Sequence, residues 1–231
     1  MMLAPEKLSV DIVSDVMCPW CYIGKRKFEQ ALPSLTDVPM DVMWRPYQLD
    51  ATLPPAGKDR QTYLSEKFGG PERAAAIYEH IEDAGEAVGL DFAFDKIKVS
   101  PNTLDAHRLV RWASTTGLQD QIVEALFEAF FMQGENIGDH GTLIRIAQDA
   151  GLDAGLIGEL LVGEADIDLT KREIELATNM GVTGVPCFII AGKYAVSGAQ
   201  DPEVMVQAIR QAWDEKLGET EAASTEEKTA D

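Results

Sequence analysis

The chain has 231 residues, 45% of them hydrophobic, enough for one large core or for a domain that carries an insertion. It sets 39 Asp and Glu against 20 Lys and Arg, a formal net charge of −19, and a body this acidic repels phosphate backbones and argues against nucleic-acid partners. No apolar run approaches the roughly 18 residues of a membrane span, and the first seven residues lack the basic-then-apolar pattern of a secretory signal.

In chain order, the apolar run 8–13 reads as a buried strand, and Cys18-Pro19-Trp20-Cys21 follows it. Residues 22–32 have helical apolar spacing and meet Pro33, which cannot continue a helix. Alternation and β-formers over 40–49 predict a second strand, and 51–58, with Pro54, Pro55 and Gly57, reads as a loop. The long middle then reads as wholly helical. Helices are expected over 61–68, closed by Gly69-Gly70, and over 71–88, with Pro71 near the start and Gly89 past the end. Ser100-Pro101 supplies an N-cap and a first-position proline for a helix to about residue 116. Residues 119–133 put Ile122, Leu126, Phe127, Phe130 and Phe131 on one broad face, read with Met132 as insert core. Further helices are expected over 142–150, 154–162 and 166–180, the last stopped by Gly181.

Strand signals return over 186–190 and 194–197, joined by Ala191-Gly192-Lys193 as a hairpin. Asp201-Pro202 opens a last helix to about 217, and the acidic 219–231 reads as disordered. Without the helical excursion the order is β-α-β-α-β-β-α, an α/β fold whose mixed sheet has helices on both faces. Residues 7–50 and 166–217 then form the sheet domain, 51–165 an all-helical insertion, and 218–231 a disordered tail.

Three cysteines are too few for a disulfide framework, so the Cys18–Cys21 pair reads as catalytic and the compartment as reducing, hence cytoplasmic. Two thiols three positions apart at a strand-to-helix turn can close a small disulfide ring. Cys18, at the start of the helix, faces unpaired amides and the positive end of the macrodipole, which favour a thiolate. It is therefore assigned as nucleophile, and Cys21, one turn deeper and less exposed, as the resolving thiol. Pro19 pre-sets a helical φ, and Trp20 adds an apolar lid without charge. A zinc site would need two more ligands, and His80, His107, His140 and Cys187 show no metal spacing, so no metal is expected. Pro186 enters a strand directly after Gly184-Val185, a position usually taken by a trans edge or turn proline.

Four segments together resemble the DsbA family in its FrnE-like branch, near the 2-hydroxychromene-2-carboxylate isomerases and kappa-class glutathione transferases. They are 14–24 around the dithiol, Trp44-Arg45-Pro46-Tyr47-Gln48-Leu49, Pro101 through Leu109, and 184–200 from Gly184-Val185-Pro186 to Gln200. The resemblance covers about residues 7 to 216 and implies a thioredoxin fold with an all-helical insertion. It also implies that Pro186 is cis and packs against the dithiol, leaving the Val185 backbone free to pair with an extended substrate. It places Asn102, Thr103 and His107 on an insert helix that faces the cleft, as substrate contacts. Ser197, Gly198 and Gln200 precede the last helix, whose N-terminus either is simply capped or holds a carboxylate such as the γ-glutamyl end of glutathione. Cys187 is a buried strand residue on the plain reading and a third thiol able to trap a mixed disulfide on the sharper one. Two departures stand out. Ile12 occupies the position where many thioredoxin-like proteins bury an acid, and alternation points Asp11 and Asp15 away. The isomerase and kappa branches carry Ser where this chain has Cys18, which favours redox work.

Three functions follow as expectations. The first is a thiol–disulfide oxidoreductase or isomerase acting on a disulfide-containing protein or small thiol, with no cofactor required and glutathione as a possible co-substrate. The second is a glutathione-dependent isomerase or transferase of small aromatic molecules. The third is a non-catalytic binding module that kept the fold. The direction of electron flow and the oligomeric state are not legible.

Overall fold

The structure, a computed structural model, describes the backbone of residues 7–229 and the side chains of residues 7–219. The first six residues, where a targeting signal was sought, lie outside the described residues, as do 230 and 231.

Four strands form the central sheet: β1 (Leu8–Ser14), β2 (Met40–Pro46), β5 (Cys187–Ile190) and β6 (Tyr194–Ser197), in the order β2-β1-β5-β6. β1 runs parallel to β2 and antiparallel to β5, and β5 and β6 make the expected hairpin, so the sheet is mixed. Alternation along β1 divides the core. Val10 and Ile12, opposite Ile190 and Phe188, join α1 (Pro19–Ala31) and α9 (Pro202–Thr229) in the main cluster, where the Phe28 and Phe188 rings lie 5.6 Å apart. Val13, Cys187 and Ile189 point to the other face and pack with Ala177 of α8 (Ile167–Asn179) and with Val182. A period-2 pattern with both faces covered is the condition for a sheet buried between helices.

Edge strand β2 is closed by a side chain. The Gln119 amide accepts from the Trp44 backbone N–H at 2.8 Å and donates to the Trp44 carbonyl at 3.1 Å, standing in for a neighbouring strand. β2 ends at Pro46, three residues before the expected end.

Between β2 and α8 lie α2 (Arg60–Phe68), α3 (Pro71–Glu86), α4 (Leu104–Ser114), α5 (Gln119–Phe127), α6 (His140–Asp149) and α7 (Ala154–Val162). The insertion departs from the all-helical expectation in one place. β3 (Lys58–Asp59) pairs antiparallel with β4 (Val99–Ser100). This pairing overrides the Ser100-Pro101 capping signal. The Asn102 carboxamide instead accepts the Leu104 N–H at 3.0 Å, and α4 starts at Leu104. The expected helix over 119–133 changes character after Phe127: residues Glu128–Met132 form one π-helical turn. The wider turn brings both Phe130 and Phe131 to 0% exposure. α9 runs to Thr229 rather than stopping near 217, and the Glu, Ala and Lys that dominate 219–228 are strong helix formers.

The insertion grips α1 directly. Tyr22 stacks on Phe127 with centroids 4.8 Å apart, and its hydroxyl donates to Glu124 at 2.7 Å. Full burial of such rings contributes about 1.5–3 kcal/mol each. Lys25, 3% exposed, is surrounded by Glu29, Asp120 and Glu124, and Arg26 pairs with Glu29 and Glu124. Burial alone would lower the Lys25 pKa; these three carboxylates outweigh it and raise it.

Candidate dithiol site

β1 ends at Ser14, and the chain turns through Asp15-Val16-Met17 before α1 begins. The Cys18 N–H donates to the Asp15 carbonyl at 2.9 Å, closing the turn, and Cys18 is the N-cap of α1 in extended conformation (φ −93°, ψ 114°). Pro19 takes the first helical position, where its missing N–H costs nothing. The Cys21 N–H donates to the Cys18 carbonyl at 3.0 Å, so the two thiols sit on one turn. Both are free thiols; Cys18 is 4% exposed and Cys21 1%.

The Val185–Pro186 bond is cis, and the Cys18 Sγ lies 3.7 Å from the Val185 carbonyl oxygen, 167 positions away in sequence. Two backbone features hold that proline in place. A Cβ on Gly24, in α1, would stand 2.7 Å from Pro186 Cγ, so only glycine leaves room for the ring. Gly198, at φ +81°, donates its N–H to the Pro186 carbonyl at 2.8 Å.

Burial pushes the Cys21 thiol well above its usual pKa, and hydrogen bonding and charge from Cys18 push it further. The Ser14 hydroxyl and the Asp15 backbone oppose the rise. The inner thiol is therefore protonated at neutral pH and must lose a proton before it can attack.

The alternation argument holds for Asp11 and fails for Asp15. Asp11 turns outward, where its carboxylate takes the Arg45 Nε–H at 2.5 Å. Asp15 lies beyond the end of the strand, so the period of two no longer governs it, and it is 0% exposed. Its carboxylate accepts the Leu49 N–H at 2.7 Å and the Met17 N–H at 3.3 Å, tying the turn before the dithiol to the chain after β2. His107 Nε2, in α4, comes to 3.5 Å from Asp15 Oδ1. His107 is 3% exposed, so it sits beneath the site rather than on the cleft wall where it was expected.

The other expected contacts separate in the same way. The Asn102 side chain is held by the chain itself: it donates to the Leu53 carbonyl at 2.6 Å and accepts from Gln48 and Leu104. Thr103, 1% exposed, is the N-cap residue of α4 and accepts the His107 N–H on its carbonyl. Gly198 reaches the site through Pro186, whereas the exposed Gln200 donates to the Ser197 carbonyl at 2.8 Å. The N-terminal turn of α9 already holds Asp201, paired with Lys27 at 2.8 Å, and Glu203. These acids occupy the positive end of the helix, which fits plain capping. Cys187 packs on the sheet face opposite the dithiol, with the Ser197 hydroxyl 4.0 Å from its sulfur.

Trp20 is half-buried, its ring 5.9 Å from that of His80 on α3. Burial raises the Tyr78 hydroxyl pKa, Arg60 pulls it back, and the charge of Cys18 raises it again, so this phenol feels the outer sulfur. Alternation turns Asp15 away from the site in the sequence reading, and Gly24 and Tyr78 carry no expected role there. Gly24 carried one usable signal, a glycine inside an otherwise well-formed helix three residues past the second cysteine.

The chain is similar to several known proteins. The protein YwbO of Bacillus subtilis (strain 168) is 27% identical over 201 residues, covering 87% of this chain and 94% of its own. The crystal structure of SCO1869 from Streptomyces coelicolor, described as a probable DsbA oxidoreductase, is 33% identical with a TM-score of 0.83, covering 90% of this chain and 91% of that one. The cytosolic disulfide reductase DsbM from Pseudomonas aeruginosa with GSH shares the fold, at TM-score 0.61 and 14% identity over 93% of this chain and 99% of that one. The DSBA-like thioredoxin domain family matches residues 9–210, and the chain belongs to that family.

Proposed function

We propose that the chain is a thiol–disulfide oxidoreductase that works through Cys18 and Cys21. The observation that carries this reading is the meeting of three parts: Cys18 as N-cap of α1, Cys21 one turn on, and the Val185 carbonyl of a cis-proline bond 3.7 Å from the Cys18 sulfur. In the oxidising direction a substrate thiolate attacks Cys18 of the enzyme disulfide, and Cys21 leaves and takes a proton. The substrate's second thiolate then attacks its own sulfur in the mixed disulfide and releases Cys18. Two substrate thiols become one disulfide, and the enzyme gains two electrons and two protons. In the reducing direction Cys18 attacks and Cys21 resolves.

Val185, half-buried beside the cis-proline, suits an extended substrate segment, so a disulfide-containing protein is the favoured partner, with a small thiol such as glutathione exchanging the redox equivalents. No helix among the described residues is long and apolar enough to cross a membrane. The chemistry itself needs no metal or organic cofactor. A reducing, cytoplasmic setting fits a chain with three cysteines, too few for a disulfide framework, and DsbM, which shares the fold, is described as cytosolic. Cys18 in place of serine sets the isomerase-type reading second.

Replacing each thiol in turn tests the reading. Cys18→Ser should lose at least about a thousandfold in disulfide exchange with oxidised glutathione. Cys21→Ser should accumulate a mixed disulfide on Cys18, seen by mass spectrometry. Exchange at the native rate by Cys18→Ser would overturn the assignment of Cys18 as the attacking thiol.

A further inference from the structure

Two arginines are buried in the insertion, and they are satisfied very differently. Arg108, 1% exposed, meets the Asp105 carboxylate at 2.7 Å, and donates to the carbonyls of Leu160, Leu161, Gly163 and Ala165. Its guanidinium also stacks over Trp112 at 5.0 Å. That is a complete set of partners for a structural cation.

Arg60, 5% exposed, has two side-chain hydrogen bonds among the described residues, both to neutral hydroxyls: Ser100 at 3.2 Å and Tyr78 at 2.6 Å. The Tyr78 and Phe130 rings lie 5.3 and 5.7 Å from its guanidinium carbon. No carboxylate among the described residues pairs with it. The guanidinium has five N–H donors and keeps its charge at any ordinary pH, so a buried position without a counter-ion is costly.

Arg60 also lines a cleft of about 700 Å³ between α2, α3 and the segment before β4. The walls are apolar where they are deep: Leu64, Ala74, Tyr78, Phe94 and Ile97. Three exposed charged residues stand at its rim and are engaged elsewhere or face solvent. The Asp59 side chain caps α2 through Thr62, and Lys98 donates to the Asp95 carbonyl. The cleft therefore combines an apolar body with a single buried positive group that has donors to spare.

We propose that this cleft binds a small organic anion, a carboxylate whose apolar body lies against Leu64, Tyr78 and Phe94 and whose charge meets Arg60. The ligand completes for Arg60 what Asp105 completes for Arg108.

The test uses a pair of probes of one shape, 4-phenylbutyrate and its neutral amide 4-phenylbutyramide, titrated calorimetrically into the full chain. The carboxylate should bind at least about tenfold more tightly than the amide, the discrimination expected of a charge-assisted hydrogen bond. Ala75→Trp, at an exposed lining position, should fill the cleft from outside and weaken carboxylate binding by about tenfold or more without touching the buried arginine. Arg60→Gln should remove the preference for the carboxylate, and the Ala75→Trp result stands if that variant fails to fold. Equal binding of the two probes, no binding of either at millimolar concentration, or unchanged carboxylate binding by Ala75→Trp would overturn the proposal. Cys18→Ser should bind the carboxylate as the wild type does, so failure here and failure of the dithiol reading are separate results.

Discussion

Cys21 and Cys187 are both buried thiols beside the same sheet, on opposite faces of it. Cys21 lies on the α1–α9 face, under a helix N-terminus, with Cys18, Ser14 and the Asp15 backbone around its sulfur. Cys187 lies on the α8 face among Val13, Ala177, Val182 and Ile189, and has one hydroxyl at 4.0 Å. Burial raises the pKa of both. The difference between them is company. One thiol has a second sulfur one turn away and the Val185 carbonyl facing that sulfur; the other has aliphatic side chains. Burial alone leaves a cysteine inert, and the surroundings of the first pair are those that the proposed exchange requires.

That contrast can be tested at three levels. The largest effect after loss of Cys18 itself should come from Gly24→Val. Its side chain would collide with Pro186, and turnover should fall by about a hundredfold from displacement of the proline, while far-ultraviolet circular dichroism shows the helix retained. Near-native turnover in this variant would mean that proline placement does not distinguish the two faces.

A pH series probes the two thiols by their common chemistry. A folded-state pKa raised above the unfolded value gives stability that is complete below the unfolded pKa, about 8.5 for cysteine, and is lost as pH rises toward the folded value. Reduced wild-type protein should therefore lose stability above about pH 8.5, by up to about 1.4 kcal/mol per pH unit for each such thiol. Denaturant titrations should show a shallower slope for reduced Cys21→Ala than for wild type. Cys187→Ala should flatten it less, because Cys187 lacks the added push of a neighbouring sulfur. Equal flattening by both variants would erase the distinction.

The smallest effect belongs to Cys187→Ala in turnover, expected within about twofold of wild type in glutathione exchange. A loss of an order of magnitude would make Cys187 a working third thiol after all.

What was legible in the sequence was local. The strand before Cys18, the helix after it and the hairpin beyond Pro186 each declare themselves within a dozen residues, through period, proline and glycine. The failures share a cause: a partner far away in sequence decided the matter. Ser100-Pro101 carries a sound helix-start signal, yet Lys58–Asp59 recruits Val99–Ser100 into a ribbon. Asp15 reads as an outward residue until the Leu49 N–H and His107 are brought to it by β2 and α4. Gly24 looks like a weak point of α1 until Pro186, 162 positions on, needs the space. Arg60 sits in a polar stretch of sequence, and nothing local announces that it is buried without a counter-ion.

The clamp between α1 and α5 bears on modularity. Tyr22, Lys25 and Arg26 belong to the helix that carries the dithiol, yet their partners Phe127, Asp120 and Glu124 belong to the insertion. Excising the inserted segment would expose an aromatic stack and leave Lys25 and Arg26 with Glu29 alone, one turn from Cys21. Shuffling this helical region between relatives as a cassette would therefore require the matching face of α1 to travel with it.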